Sequence, residues 1–327
     1  MANVCIFGVG AIGGFLAARL ALTGQHVTGI ARGRQLIAIR EKGLSLIEGG
    51  QRRTVQIECF EDPAEAGPQD IVFMTMKSHS APAVAETIAP MLDSKTAVVT
   101  TGNGFPWWYF YESNLRDHPE FLRHVDPGAR LWRNIGPERA IGSVVYPAAR
   151  VSEPGVIEHV FGDRFTLGEP DGSISDRVQV IAAMLTEAGL DVSAIGDIRS
   201  EIWAKLVANC AYNPVSVITN ATLGGMLDDP EIHRFLEGIM TEASELAAAM
   251  NVHPPLTPQQ LLEVTRPFGA HKTSMLQDIE AGRSIELDTI VGAIRELALY
   301  YSVGTPSIDL VSALATQRAR LAGCYPE

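Results

Sequence analysis

The sequence predicts an α/β fold in two parts, a doubly wound N-terminal domain followed by an all-helical C-terminal one. Three observations predict it. Four apolar residues, Val4 to Phe7, run into Gly8-Val9-Gly10-Ala11-Ile12-Gly13, and an apolar-periodic segment from Phe15 to Leu22 follows at once. Short apolar strands then alternate with turns and helical stretches as far as Ile195. Beyond Gly196-Asp197 the pattern is helical almost without interruption. Strand, tight glycine turn and helix in that order are what a Rossmann-like dinucleotide-binding domain requires. The expected division is therefore residues 1–196 for a Rossmann-like domain and 197–327 for a helical domain, with the site in the cleft between them.

The glycine turn carries most of that expectation. Gly8 lets the chain turn without a Cβ clash, Gly10 admits a pyrophosphate close to the backbone, and Gly13 lets helix pack on strand. Free N–H groups at the start of the helix then face the phosphates. A G-x-G-x-x-G alone in a chain with 30 glycines is weak evidence. Its flanks are what make it specific here, against the plain alternative of a glycine turn with no ligand.

Bulk properties narrow the class. At 327 residues the chain is long for one core, so two domains are expected. With 46% hydrophobic and 20% charged residues and a mean hydropathy of +0.10, it has ample apolar material for a globular protein. A net charge of −12 argues against nucleic acid or an acidic membrane as the main partner, though not against a local positive pocket. Cys5, Cys59, Cys210 and Cys324 lie far apart with no C-x-x-C spacing, which reads as reduced, buried thiols and no metal site. No signal-peptide pattern precedes the first strand and no apolar run reaches membrane-span length. The expectation is a soluble, cytoplasmic protein.

Along the chain, His26 to Ala31 reads as the second strand. Where an NAD enzyme carries an acid for the ribose 2′-hydroxyl, this chain has no acid from Gly8 through Arg40, but does have Arg32 and Arg34. A guanidinium fits a 2′-phosphate bidentately, so the reading is NADP; the alternative is two solvated loop arginines. Asp70 to Met76 and Thr96 to Thr101 are further strands, ending at Lys77 and at Gly102-Asn103-Gly104. Ligands in open α/β sheets lie beyond the carboxyl ends of the strands, which puts Lys77 and Asn103 where a cofactor would be.

Phe105 to Arg139 reads as a long excursion with little regular structure and one short helix, opening on Pro106-Trp107-Trp108-Tyr109-Phe110-Tyr111. The aromatics suggest a wall or lid over a substrate, and equally a loop packed down or a subunit contact. Ala140 to Tyr146 is a strand. Val156 to Val160 and Phe165 to Gly168 read as a hairpin around Phe161 to Arg164, followed by a helix over Ser175 to Ala188 and a strand at Asp191 to Ile195. The later helices are Ile198 to Val217, Pro230 to Met250, Pro258 to Val264, Ser274 to Ala281, Ile285 to Ser302 and Pro306 to Leu321. Ser284 precedes one, and Thr305-Pro306 suits the N-cap and first position of another.

The chemistry is expected on the segment Glu201 to Pro214. Lys205, Asn209 and Asn213 fall at i, i+4 and i+8 and so share one stripe of a helix whose other positions are apolar. One ammonium and two amides on such a stripe can bind a carbonyl and a carboxylate, since buried polar groups need partners. A partly desolvated lysine gives up its proton more readily, which suits Lys205 as general acid for a carbonyl becoming a hydroxyl. A lysine on a solvated face is the plain alternative. For Lys272 to Asp288, spacing alone supports only that Ser274 caps a short helix and that Glu286 sits in the first turn of the next.

Trp203-Ala-Lys205-Leu-Val-Ala-Asn209-Cys-Ala-Tyr-Asn213-Pro214 and Thr273-Ser-Met-Leu-Gln-Asp278-Ile279 followed by Glu286 resemble the ketopantoate reductase (2-dehydropantoate 2-reductase) family. The glycine motif, Lys77 and Gly102-Asn103-Gly104 share the likeness, which runs over essentially the whole chain in order. It implies a 6-phosphogluconate-dehydrogenase-like architecture and an NADPH-dependent reduction of a 2-oxo acid to a 2-hydroxy acid, ketopantoate to pantoate above all, within pantothenate and coenzyme A biosynthesis. By the likeness Lys205 and Glu286 are catalytic, Lys205 giving the proton and Glu286 orienting it and the cofactor. Gly8, Val9, Gly10, Ala11, Ile12, Gly13, Arg32, Lys77, Asn103, Ala148 and Glu286 bind NADP(H). Asn103, Asn209, Asn213 and Ser274 hold the substrate.

Two features depart from the family pattern. The connection from Asn103 to Gly142 is long and carries Trp107-Trp108, and Asn220-Ala-Thr-Leu223 puts an apolar side chain where the pattern has a polar substrate contact. Both bear on which 2-oxo acid is taken, and a paralogue for a bulkier acid is the first alternative. A non-catalytic NADPH-binding regulator is the alternative of another class. Monomer and homodimer both remain open.

Overall fold

The computed structural model describes residues 2–113 and 122–325, so that part of the long excursion, residues 114–121, lies outside the described residues. It divides into two units. The first takes in the chain up to Gly102, the described residues 106–113, and Gly128–Ile198. The second takes in Asn103–Phe105, Leu122–Pro127 and the chain from Arg199 onward.

Among the described residues, twelve strands form two sheets in the first unit: β1 Asn3–Phe7, β2 His26–Ile30, β3 Leu44–Glu48, β4 Gln51–Val55, β5 Glu58–Phe60, β6 Ile71–Met74, β7 Ala97–Thr100, β8 Ala140–Val145, β9 Ala148–Glu153, β10 Val156–Phe161, β11 Arg164–Gly168 and β12 Asp191–Ala194. Their main helices are α1 Ala11–Leu22, α2 Gly33–Lys42, α3 Pro63–Ala66, α4 Ala81–Val84, α5 Arg130–Ile135 and α6 Asp176–Glu187. The large sheet has the order β12-β11-β8-β7-β6-β1-β2-β5. From β5 to β8 every pairing is parallel, and the run β5-β2-β1-β6-β7-β8 is the dinucleotide-fold order 3-2-1-4-5-6. Central strands buried along their whole length, such as Ile71-Val-Phe-Met74, carry the unbroken apolar runs that a doubly covered parallel sheet demands. β11 then joins β8 antiparallel.

A second sheet, ordered β4-β3-β10-β9, was not anticipated from the sequence. Its β3–β4 hairpin turns on Gly49-Gly50, both at positive φ (54° and 77°), as a two-residue turn of matching twist requires. The expected hairpin between 156–160 and 165–168 is not formed. β10 pairs antiparallel with β9 across Pro154-Gly155, where Gly155 has φ 77°, while β11 belongs to the large sheet. The apolar alternation of both strands was real, but it faced two different layers. α1 lies between the sheets: a Cβ on Gly13 would meet Ile6 on one side, and a Cβ on Gly14 would meet Ile157 on the other.

The aromatic stretch after Phe105 is packed inward. Trp108 is fully buried, its Nε1 donates to Thr100 Oγ1 at 2.9 Å, and its ring covers Gly142. Trp107, Tyr109 and Phe110 are buried as well. Of the readings open for these residues, the packed-down loop describes Trp108, which is core of the first unit. The excursion also holds more structure than expected, with 3-10 turns on either side of α5.

The second unit is helical: α7 Ile198–Thr219, α8 Leu223–Asp228, α9 Pro230–Ala249, α10 Pro258–Thr265, α11 Ser274–Glu280, α12 Ala293–Tyr301 and α13 Pro306–Leu321. Three local expectations change. Thr273, not Ser274, caps α11, its Oγ1 accepting from Leu276 N. Pro306 does open α13, but Thr305 gives no side-chain cap. Glu242 of α9 serves instead, its two oxygens taking the amides of Ser307 and Ile308 at 2.9 and 3.0 Å, because a carboxylate meets two orphan donors where a hydroxyl meets one. The helix expected from Ile285 starts only at Leu287, with one turn of π-helix over Asp288–Gly292 before α12, so Glu286 stands just ahead of it. All four cysteines are buried free thiols. Burial raises the Cys59 thiol to about 11. No helix among the described residues is long and apolar enough to cross a membrane.

Candidate active site

The predicted site residues are divided between the two units. In the first unit the glycine turn follows β1. Gly8 has φ 105°, and a Cβ there would lie 2.9 Å from Met76 N. A Cβ on Gly13 would lie 2.2 Å from Gly8 O, whereas Gly10 has nothing nearer than 4.0 Å. So Gly8 and Gly13 are fixed by packing, and Gly10 is the open position a ligand backbone contact needs. Thr75 Oγ1, at the end of β6, donates to Gly8 O at 2.7 Å and holds the turn.

The amides of the turn divide cleanly. Gly8 and Val9 donate to Ile30 O, and Gly10 donates to Gly8 O. The first helical bond is Gly14 N to Gly10 O, which leaves Ala11, Ile12 and Gly13 with no acceptor among the described residues. α1 has neither a side-chain cap nor an acid in its first turn. Three orphan donors and a bare dipole end fit a pyrophosphate.

Arg32 stands at the N-cap of α2, directly after β2, and Arg34 lies in its first turn. Both are exposed, neither has an acidic partner among the described residues, and α2 has no acid in its first turn. Lys77 is half-buried at the end of β6, where it opens a 3-10 turn over Ser78–Ser80. Ala148 is the first residue of β9.

The second unit gathers Asn103, Lys205, Asn209, Asn213, Ser274 and Glu286. Lys205 and Asn209 are half-buried on α7, whose flanking Trp203, Leu206 and Val207 are fully or almost fully buried. Burial pushes the Lys205 ammonium down to about 8, and the negative charge of Glu286 works the other way. Glu286 is 8% exposed, and its Oε2 accepts from Asn103 Nδ2 at 3.3 Å. Asn213 is 3% exposed, and its Nδ2 is a buried donor with no acceptor among the described residues. Such a group normally has a partner, so an unmet donor points to a ligand.

Sequence reasoning missed what holds these groups. Ser216 Oγ donates to Asn213 O at 2.8 Å and lies 2.6 Å from Thr273 Oγ1, so the cap of α11 is tied to α7. That cap leaves Ser274 exposed at the first helical position, with its hydroxyl uncommitted among the described residues. Leu223 and Gly224 donate to His271 O and Gly269 O, fixing the turn with the apolar Leu223 against the segment that leads into Ser274. A cleft of about 320 Å³ opens there, lined by Thr222, Gly224, Gly225 and Arg266 among others. The spacing of hydroxyl residues offered no signal for any of this. No cluster of three metal-binding side chains occurs among the described residues.

A dinucleotide-fold sheet with orphan amides on its first helix, joined to a helical unit bearing a depressed lysine beside a buried carboxylate, defines a dinucleotide-dependent oxidoreductase. Comparison with known proteins gives the family. Residues 4–172 match the model described as "Ketopantoate reductase PanE/ApbA", and residues 197–319 match its C-terminal counterpart. A 2-dehydropantoate 2-reductase of Mesorhizobium japonicum is 43% identical over 99% of both chains. A solved structure from Ralstonia solanacearum, of a candidate ketopantoate reductase, is 38% identical with TM-score 0.94 over 99% of both chains. The 2-dehydropantoate 2-reductase of Geobacter metallireducens is 26% identical with TM-score 0.84, over 96% of this chain and 99% of that one. The chain belongs to the ketopantoate reductase family.

Proposed function

We propose that this protein reduces ketopantoate (2-dehydropantoate) to pantoate with NADPH. The observation that carries the reading is the pair Lys205–Glu286, a lysine lowered to about 8 by burial and kept from falling further by a buried carboxylate. A general acid is most effective when its pKa lies near the working pH. The 43% identity to a full-length 2-dehydropantoate 2-reductase favours this substrate over a bulkier acid, and this role over that of a non-catalytic regulator.

When bound, the reduced nicotinamide supplies the hydride that becomes the new C2–H bond. Ala11, Ile12 and Gly13 bind the pyrophosphate through their orphan amides, with Arg32 and Lys77 taking the 2′-phosphate end and Ala148 lining the pocket. Asn213 Nδ2, Asn209 and the Ser274 hydroxyl hold the carboxylate and hydroxyl of the substrate. Lys205 donates a proton to the C2 oxygen as negative charge develops there. Glu286 keeps Lys205 protonated and aimed, while Asn103 ties Glu286 to the loop after β7. Residues 1–196 form the cofactor domain in this scheme and residues 197–327 carry the acid and the substrate groups, with Asn103 the exception.

The test is NADPH oxidation, followed by its near-ultraviolet absorbance, with ketopantoate and a panel of bulkier 2-oxo acids. The expected result is kcat/KM with ketopantoate of roughly 10⁴ M⁻¹s⁻¹ or more, in the ordinary enzyme range. A poor rate with ketopantoate beside a good one with a bulkier acid would overturn the substrate and keep the chemistry.

A further inference from the structure

The long excursion after Asn103 is anchored at both ends to one helical segment of the second unit. At its start, Phe105 N donates to Thr289 O at 2.8 Å, and Gly104 (φ 94°) lies so close that a Cβ would sit 2.3 Å from the same oxygen. At its return, the consecutive amides of Arg123 and His124 donate to the two oxygens of Glu296 at 3.1 and 3.2 Å. The His124 ring packs on Gly292, where a Cβ would come within 3.0 Å of it. Thr289 and Gly292 belong to the π-helical turn Asp288–Gly292 and Glu296 to α12, which follows it, so both ends of the excursion meet one segment directly after Glu286.

A π-turn is a locally unfavourable way to wind a helix and is frequent beside functional residues. Here the turn and the residues just ahead of it are held by the excursion and by the chain's C-terminal segment. The excursion covers one face, Tyr325 Oη donates to Asp288 Oδ1 at 2.7 Å, and Ile285 N donates to Cys324 O at 2.9 Å. The neighbouring Arg295 is engaged with Asp309, and among the described residues the Glu296 carboxylate takes the two backbone amides of Arg123 and His124. Phe105 also stacks edge-on against Trp203, two residues before Lys205 on α7. One loop thus touches both the helix that carries Lys205 and the turn that follows Glu286.

We propose that Glu296 and His124 are positioning residues for the reduction: they clamp the returning arm Leu122–Pro127 onto the π-turn and so fix where Glu286 faces Lys205. This rests on the Lys205–Glu286 pairing given under the proposed function and adds the element that sets it. Neither residue touches the reacting atoms. Their effect passes through Glu286.

The test compares Glu296→Ala, Glu296→Gln and His124→Ala with the parent and with Glu286→Gln, all in the full chain. Two quantities are read: the alkaline limb of kcat/KM, and the titration midpoint of Lys205 in the cofactor-free protein. The midpoint comes from competitive acylation at a series of pH values, quantified on the Lys205 peptide by mass spectrometry. Glu286→Gln removes the charge that raises Lys205, so its midpoint falls. The expected result is a fall in the same direction, of about half a unit or more, in Glu296→Ala and His124→Ala. Glu296→Gln, which keeps one carbonyl acceptor, recovers part of it, and Glu296→Ala adds nothing once Glu286 is Gln. His124 is exposed, so its truncation serves if Glu296→Ala does not fold. An unmoved midpoint in both alanine variants, or a further equal fall on the Glu286→Gln background, overturns the inference alone. A Glu286→Gln midpoint equal to the parent's overturns the pairing itself, and this inference with it.

Discussion

Asn103 Nδ2 reaches Glu286 Oε2 at 3.3 Å, joining residues 183 positions apart in the chain. The loop after β7 supplies Asn103, Glu286 stands two residues ahead of the π-turn, and both belong to the helical unit. That contact gives the proposed acid–base pair more than a lysine on a helix. Its carboxylate is held from one side by an amide, and acts on the other upon an ammonium that burial has weakened.

Lys205→Ala is expected to lower kcat by about 100-fold or more while NADPH still binds. Stopped-flow turnover beside fluorescence titration of NADPH checks both parts, and a surviving kcat would remove Lys205 from the role of acid.

The pH profile follows from the sign of the Lys205 shift. If Lys205 is the acid, reduction needs the protonated ammonium of the free enzyme, so kcat/KM is full below about 8 and falls as pH rises through it. Glu286→Gln removes the influence that raises this pKa, so the alkaline limb moves to lower pH. A limb that moved upward would contradict the assignment.

Arg32→Ala should weaken NADPH by about tenfold or more and leave NADH nearly unchanged, because only the former carries the phosphate that a guanidinium pairs with. Equal loss for the two cofactors, measured by calorimetry, would refute the 2′-phosphate role.

Asn213→Ala separates binding from folding. The Nδ2 group is buried without an acceptor among the described residues, so its removal relieves an unmet donor and should leave the Tm of the free protein unchanged or slightly raised. The KM for ketopantoate should rise by about tenfold or more if the amide meets the substrate. A lowered Tm with an unchanged KM would make Asn213 structural.

For Trp108→Ala the expectation is reversed. Its indole is fully buried and bonded to Thr100, so truncation should cost about 3–5 kcal/mol of stability by urea melts. The ranking of 2-oxo acids should stay as it was. A changed ranking at unchanged stability would restore Trp108 as a wall of the substrate pocket.

Much of this protein is legible in its sequence where the signal is local. The turn Gly8 to Gly13 needs glycine for reasons confined to a few neighbouring atoms, and an arginine at the end of β2 can be read without knowing the rest of the sheet. Lys205, Asn209 and Asn213 share a stripe because helix geometry alone puts them there. The second sheet was hidden because its strands are partly polar: β4 is Gln-Arg-Arg-Thr-Val, a strand only by virtue of its partner β3.

What the sequence determined by itself is therefore the first strands along the chain, the dinucleotide turn, the helical half and the polar stripe of α7, all products of periodicity and of backbone rules that act within a few residues. Tertiary structure alone decided that β10 leaves β11 for another sheet, and that Glu242 caps α13 while Thr273 caps α11. It also decided that Trp108 is core, and that the two ends of the excursion brace the turn after Glu286. Each of these is a contest between partners far apart in the chain for the same orphan amide, carbonyl or apolar face. Its winner is set by which group arrives with the better geometry once the core has closed.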